Sequence, residues 1–182
     1  ANTLITAGNT SNSTECYNAY KTLRVANENL SYNEADPEKL YYIISKAAND
    51  YCKEKYVYSP CEPTTRRRGN YTGTHDQKHL IFDAKTDISQ PSLAVFQFDA
   101  TSTQGEYKMK NLHTGLYVKA FTGTHMGNSE PAVVKIAGYA DGQVTLKIGN
   151  NSPMHAQQDY GVIVQWGAAA NNASLWTIDE VT

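Results

Sequence analysis

The hydrophobic pattern close to the C-terminus alternates between apolar and polar positions. In residues 173–180, Trp176 and Ile178 are two positions apart and the polar Thr177 lies between them. Successive side chains of a strand point to opposite faces, so this spacing predicts a strand with one buried face. A near-copy of the segment lies at residues 92–99, and a weaker copy lies at residues 132–137.

The three copies align as one repeated strand. In each copy a large or branched apolar residue is followed by a polar residue and then by another apolar residue. The aligned triplets are Phe96-Gln97-Phe98, Val134-Lys135-Ile136 and Trp176-Thr177-Ile178. Three copies predict a threefold repeat, in which the first residue of each triplet occupies an equivalent core position.

The N-terminal segment has a different period. Cys16, Tyr20, Leu23 and Leu30 recur near helical spacing, which predicts one amphipathic helix at about 13–31. A helix of this length is marginal alone, so we expect its apolar stripe to pack on the rest of the chain. Residues 1–38 are therefore predicted to form a tail and a packing helix.

Residues 39–182 are predicted to consist almost entirely of strands and turns. They divide into three units of four strands, at about 39–104, 105–142 and 143–182. A polar insertion at 59–78 lengthens the first unit, and the second unit has a glycine-rich loop before its last strand. The strands preceding the last strand of each unit are predicted at 40–45, 55–58 and 79–83, at 105–111 and 116–119, and at 143–148, 153–157 and 161–166.

Three fragments resemble the ricin-B-type lectin superfamily and the related modules of secreted bacterial glycan-degrading enzymes. They are residues 106–118, 154–157 and 173–178, and the resemblance covers about 39–182. It implies a β-trefoil, in which six strands form a barrel and six form a hairpin cap. The expected fold class is therefore mainly β: a β-trefoil of three four-stranded units preceded by one N-terminal α-helix.

The chain departs from the Gln-x-Trp motif that ricin-type lectins carry in the last strand of each unit. The aligned triplets are Ala94-Val95-Phe96, Ala132-Val133-Val134 and Ser174-Leu175-Trp176. A large hydrophobe is kept in two of them, and the Gln is absent from all three. Because that hydrophobe is a core residue in the superfamily, its presence supports the fold and not sugar binding.

Sugar binding requires an aromatic face for the apolar side of a pyranose ring, with polar groups beside it for the hydroxyls. Trp166 ends a predicted strand and is followed by a loop of small residues that would leave its indole uncovered. Alternatively, Trp166 closes the barrel or covers the helix. The carbohydrate-binding residues predicted in the third unit are Asp159, Tyr160, Gln165, Trp166 and Asn171. A weaker candidate set in the second unit is Asn111, His113 and Tyr117.

Charge and motifs exclude several other classes. The net charge of −2 provides no electrostatic footprint for nucleic acid, and no apolar run approaches the roughly 20 residues of a membrane span. His75 lies in the polar insertion and His79 directly follows it; a solvated loop is favoured there over a metal site. No hydrolase nucleophile or zinc-protease motif is present, so we expect no enzyme activity, metal or cofactor. Cys52 and Cys61 are either bridged or free thiols.

The sequence therefore predicts a non-catalytic carbohydrate-binding module. We expect a mature or excised segment of a larger glycan-acting protein, secreted or at the cell surface or in the periplasm, with a glycan and neighbouring domains as partners. The alternative is a trefoil protein-interaction or protease-inhibitor-like domain that uses the 59–78 insertion.

Overall fold

The computed structural model describes residues 17–23, 35–68, 71–76, 78–119, 125–127, 130–150, 152–158, 161–166 and 172–182. Within these ranges the chain is mainly β. The strands are β1 Leu40–Ser45, β2 Tyr56–Tyr58, β3 Thr64–Arg68, β4 Tyr71–His75, β5 Ile81–Asp83, β6 Val95–Ala100, β7 Glu106–Asn111, β8 Tyr117–Lys119, β9 His125–Gly127, β10 Val134–Gly138, β11 Val144–Ile148, β12 Met154–Gln157, β13 Val162–Gln165 and β14 Trp176–Glu180. Short 3₁₀ helices span Lys85–Asp87, Pro91–Ala94, Ala140–Gly142 and Asn172–Ser174.

Six of these strands form a closed antiparallel barrel. Around the ring, β1 pairs with β6, β6 with β7, β7 with β10, β10 with β11, β11 with β14, and β14 with β1. The strands alternate as a sheet with one buried face requires: in β7, Tyr107 and Met109 are buried while Lys108 is exposed. The first and last strands of each predicted unit thus make the barrel.

The barrel register repeats three times. Phe96, Val134 and Trp176 are all fully buried, as predicted from the alignment. Each lies opposite a residue of the first strand of its own unit, in the pairs Phe96–Tyr41, Val134–Tyr107 and Trp176–Val144. The aligned triplets therefore occupy equivalent positions in the core.

The other six trefoil strands form three hairpins, β2 with β5, β8 with β9, and β12 with β13. Together with the barrel they complete the β-trefoil. Strand β9 lies where the sequence predicts only a glycine-rich loop. Gly127 pairs with Tyr117, and a Cβ at Gly127 would approach the Lys119 side chain to 2.8 Å. This glycine permits close packing within a hairpin and does not mark a loop.

The polar insertion contains a hairpin of its own. Strands β3 and β4 pair over five positions and form a separate two-stranded sheet. The solvated loop predicted for the polar insertion is therefore wrong for the backbone of residues 64–68 and 71–75. The sequence Thr-Thr-Arg-Arg-Arg of β3 has no apolar alternation, and the hairpin is not paired with the barrel sheet.

The N-terminal helix is described at residues 17–23. Tyr20 and Leu23, which belong to the predicted packing stripe, are 60% and 58% exposed. The expected packing is thus wrong for these two side chains. The barrel interior is filled by its own strands, with Phe96, Phe98 and Trp176 fully buried. Residues 13–16 and 24–31 of the predicted helix lie outside the described residues.

Two further findings concern the described residues. No disulfide joins Cys52 to Cys61, and Cys52 is buried with its Sγ 3.7 Å from the carbonyl oxygen of Ala156. None of the described helical segments has the length and apolar character needed to cross a membrane.

Candidate functional site

Trp166 lies on the surface of the third unit, directly after β13. Its backbone N–H donates to the carbonyl of Pro153 at 3.3 Å, which continues the pairing of β13 with β12 by one residue. The indole is stacked on the imidazole of His155, with ring centroids 6.0 Å apart and planes inclined by 29°. Trp166 is 50% exposed, whereas Trp176 is fully buried. The core position of this unit therefore belongs to Trp176, and the alternative that Trp166 closes the barrel is wrong.

The imidazole that stacks on Trp166 is held by a hydrogen bond to a buried serine. His155 Nδ1 shares a 3.0 Å hydrogen bond with Ser174 Oγ, and Ser174 is buried. Burial lowers the pKa of His155 from its ordinary value, because a charged ring would lose its hydration. The stack therefore joins a neutral imidazole to the indole at neutral pH.

Strand β12, which carries His155, is anchored on both sides of that residue. Trp176 Nε1 donates to the carbonyl of Met154 at 3.2 Å. The carbonyl of Ala156 accepts from Cys52 Sγ at 3.7 Å. Three successive residues of β12 are thus tied to neighbouring elements, which gives the stacked pair a fixed base.

A depression of about 540 Å³ lies beside this pair. Asn49 Oδ1 accepts from the backbone N–H of Cys52 at 2.9 Å, which orients its amide. Gln158 and Asn172 add two more amides, which can donate and accept without carrying charge. The described lining residues are Ala48, Asn49, His155, Ala156, Gln158, Asn172 and Ala173.

Sequence reasoning missed Asn49 because it belongs to the first unit. The backbone N–H of Lys46 donates to the carbonyl of Leu175 at 2.8 Å, and β1 pairs with β14. This closure of the barrel places the loop after β1 against the 3₁₀ helix Asn172–Ser174. No local sequence signal marks the contact, since it depends on which strand closes the ring.

The predicted site residues have different outcomes. Trp166 is exposed as a stacking residue must be. Gln165 Nε2 is buried without a hydrogen-bond partner among the described residues, which does not match the surface role predicted for this side chain. Asp159, Tyr160 and Asn171 lie outside the described residues, so their roles stay predictions.

The second-unit candidates have structural partners. Asn111 is fully buried; its amide donates to the carbonyl of Leu93 at 2.7 Å and accepts from the backbone N–H of Thr114 at 3.0 Å. Tyr117 donates to Asp99 at 2.7 Å, and this hydrogen bond raises the pKa of the phenol. Asn111 therefore closes a turn and is not available to a ligand.

The first unit has a smaller depression of about 340 Å³ with a different lining. Glu62, Asp83 and Asp87 make it acidic, and its tyrosine, Tyr58, is only 5% exposed. It therefore lacks the open ring that the third unit presents. The described residues contain no group of three or more His, Cys, Asp or Glu side chains arranged to hold a metal ion.

Similar folds occur in solved structures of low sequence identity. The GlcNAcα1-4Gal-releasing endo-β-galactosidase from Clostridium perfringens matches with a TM-score of 0.58 at 15% identity, over 79% of this chain and 33% of that chain. The lectin from Polyporus squamosus, solved with the epitope Neu5Acα2-6Galβ1-4GlcNAc, matches with a TM-score of 0.53 at 17% identity, over 81% of this chain and 50% of that chain. The designed threefold-symmetric protein ThreeFoil matches with a TM-score of 0.53 at 13% identity, over 78% of this chain and 99% of that chain.

These similarities define the class of the fold, a β-trefoil. This chain spans about a third of the endo-β-galactosidase and half of the lectin chain. No protein-family model matches the sequence, and no curated protein matches it.

Proposed function

We propose that this chain is a non-catalytic carbohydrate-binding module whose site is the surface around Trp166. The observation that carries the proposal is the half-exposed indole, held on His155 beside a depression lined by amides. An indole face packs on the apolar side of a sugar ring, and neutral amides exchange hydrogen bonds with its hydroxyls. Asp159, Tyr160 and Asn171 are proposed as further contact residues for the glycan.

The similar folds support this proposal because of the kinds of protein in which they occur. Lectins and glycan-acting proteins share the architecture, and the Clostridium perfringens enzyme contains it within a longer chain. We therefore propose that the module is an accessory part of a larger glycan-acting protein that is secreted or displayed at the cell surface. Its partners would be a glycan and the neighbouring domains of that protein.

A glycan array followed by calorimetric titration tests the proposal. We expect a dissociation constant of about 1 mM to about 40 μM, because one aromatic platform with a few hydrogen bonds gives about −4 to −6 kcal/mol. Trp166→Ala should remove most of the binding and leave the urea unfolding midpoint unchanged. Tyr139→Ala is the matched control, because Tyr139 is 54% exposed and does not line the depression. Equal binding by the Trp166→Ala chain would overturn the site, and absence of binding to every glycan would overturn the function.

The second candidate, a protein-interaction or protease-inhibitor-like domain, is favoured by one observation. Strands β3 and β4 form a sheet that is separate from the barrel sheet. A panel of serine and cysteine proteases should be assayed with the intact chain and with a variant whose residues 64–75 are replaced by a Gly-Ser linker. Inhibition by the intact chain that the variant lacks would favour this candidate.

A further inference from the structure

We infer that His155 couples the Trp166 platform to the neighbouring depression, so that the ligand is an oligosaccharide of at least two sugar rings and not a monosaccharide. The inference rests on the proposed function and specifies its ligand. Within it, His155 is a positioning residue for Trp166 and a contact residue for the ligand.

The first step is that His155 belongs to both halves of the surface. One side of its ring stacks on Trp166, and the residue also lines the 540 Å³ depression. Trp166 itself is not a lining residue of that depression. A ligand that used only the indole, or only the depression, would leave the other half of the surface empty.

The second step concerns size. Ligand sites of about 300–1,000 Å³ bury molecules larger than one sugar ring, and this depression has a volume of about 540 Å³ before the exposed indole is added. The amides of Asn49 and Asn172 belong to the depression and not to the indole. Two adjacent sugar rings, one on the indole and one among the amides, use the whole surface.

The third step is that His155, the residue common to both halves of the surface, is held in place. Ser174 immediately precedes Leu175 and Trp176, which are 3% and 0% exposed, and it bonds His155 Nδ1 at 3.0 Å. The core thus fixes Ser174, Ser174 fixes the imidazole, and the imidazole fixes the indole. Holding an aromatic side chain in its bound orientation avoids part of the conformational entropy cost of binding.

The fourth step concerns the ring nitrogens. Ser174 uses Nδ1, so Nε2 is the ring nitrogen without a hydrogen bond among the described residues. Burial lowers the pKa of His155, and a neutral imidazole has one nitrogen that donates and one that accepts. Nε2 can therefore bond a hydroxyl of the sugar in the depression.

The test compares mono-, di- and trisaccharides of the sugar that the array selects, by calorimetric titration. The intact chain should bind the disaccharide about tenfold or more tightly than the monosaccharide, and His155→Ala should reduce this advantage to about threefold or less. Ser174→Ala keeps the imidazole but removes its clamp, so it should give an intermediate loss. An equal affinity for mono- and disaccharide, or a full advantage retained in both variants, would overturn the inference.

A spectroscopic readout separates positioning from general damage. The chain has two Trp, so labelling with 5-fluorotryptophan gives two ¹⁹F resonances, and Trp166→Phe assigns them. His155→Ala and Ser174→Ala should move the Trp166 resonance by more than that of buried Trp176. His155→Phe keeps a stacked ring and should restore the Trp166 resonance without restoring the disaccharide advantage. If Trp166→Ala abolishes binding while the His155 and Ser174 variants change neither affinity nor spectrum, the proposed function stands and this inference fails. If no glycan binds, the proposed function itself fails.

Discussion

Replacing Trp176 by Ala should destabilise the fold more than any surface change. Trp176 is fully buried, and it lies opposite Ser45 of β1 and Val144 of β11. Its indole Nε1 donates to the carbonyl of Met154 at 3.2 Å. The residue therefore fills the core of the third unit, lies where β14 joins both of its neighbours, and anchors β12.

Two terms set the magnitude. Truncating a buried Trp to Ala costs about 3–5 kcal/mol through lost burial and the cavity left behind. The carbonyl of Met154 would also lose its partner, which costs about 1–3 kcal/mol if no water replaces it. A domain of this size is typically stable by about 5–15 kcal/mol, so the variant loses a large part of its stability. The first term alone lowers the Tm of a chain of this length by roughly 6–20 °C.

Urea unfolding followed by circular dichroism measures this loss. Trp176→Phe is the informative intermediate, because it keeps one aromatic ring but removes the indole N–H and part of the buried volume. It should lose at least the cost of the unpaired carbonyl, about 1–3 kcal/mol, and less than Trp176→Ala. Trp166→Ala is the matched surface control and should stay within about 0.5 kcal/mol of the parent. A Trp176→Ala chain that unfolds within about 1 kcal/mol of the parent would refute the register assigned to the third unit.

Three further predictions concern stability. Asn111→Ala should cost about 2–4 kcal/mol in urea unfolding, because it leaves buried backbone groups unpaired, while exposed His113→Ala should cost little; equal effects would contradict the turn-closing role. The pKa of His155 is lowered in the folded chain, so its contribution to stability is present above the ordinary value of about 6.5 and is lost as the pH falls below it. The stability advantage of the parent over His155→Gln should therefore shrink from about pH 8 to about pH 5. A constant difference would mean that the ring is not desolvated. Tyr20→Ala and Leu23→Ala should each change the stability by less than about 0.5 kcal/mol, and a larger loss would revive the packing helix expected from the sequence.

Much of the barrel could be predicted because the alternation of apolar and polar residues in its strands shows which face is buried. Alternation at Phe96-Gln97-Phe98 and at Trp176-Thr177-Ile178 follows from one face lying in the core. Strands β3 and β9 carry no such signal. The first has only Thr and Arg side chains, and the second ends in the glycine at position 127. A strand of a hairpin that is not paired with the barrel sheet, or a short strand that ends in glycine, is indistinguishable from a loop by pattern alone.

The candidate site could be predicted only in part. Trp166 was identifiable because the small residues after it leave its ring uncovered. Its stack on His155 depends on the register of β12 with β13, and the contribution of Asn49 depends on the pairing of β1 with β14. Helical spacing likewise identified Tyr20 and Leu23 as one stripe without revealing whether a surface covers them. The period of a segment shows which residues share one face, but it does not show which element packs against that face.

The pairing of β1 with β14 is the seam that closes the barrel, and it has a consequence for the order of folding. Lys39 and Glu180, whose side chains form a 2.8 Å ion pair at this seam, are 141 positions apart in the chain. Closing a loop of that length costs about 4 kcal/mol of chain entropy, so the seam should form late, after the short hairpins have closed. Until then β1 and β11 each present an unpaired edge, which is where a second chain can add a strand. Strand β14 is thus the one whose pairing protects the barrel from association.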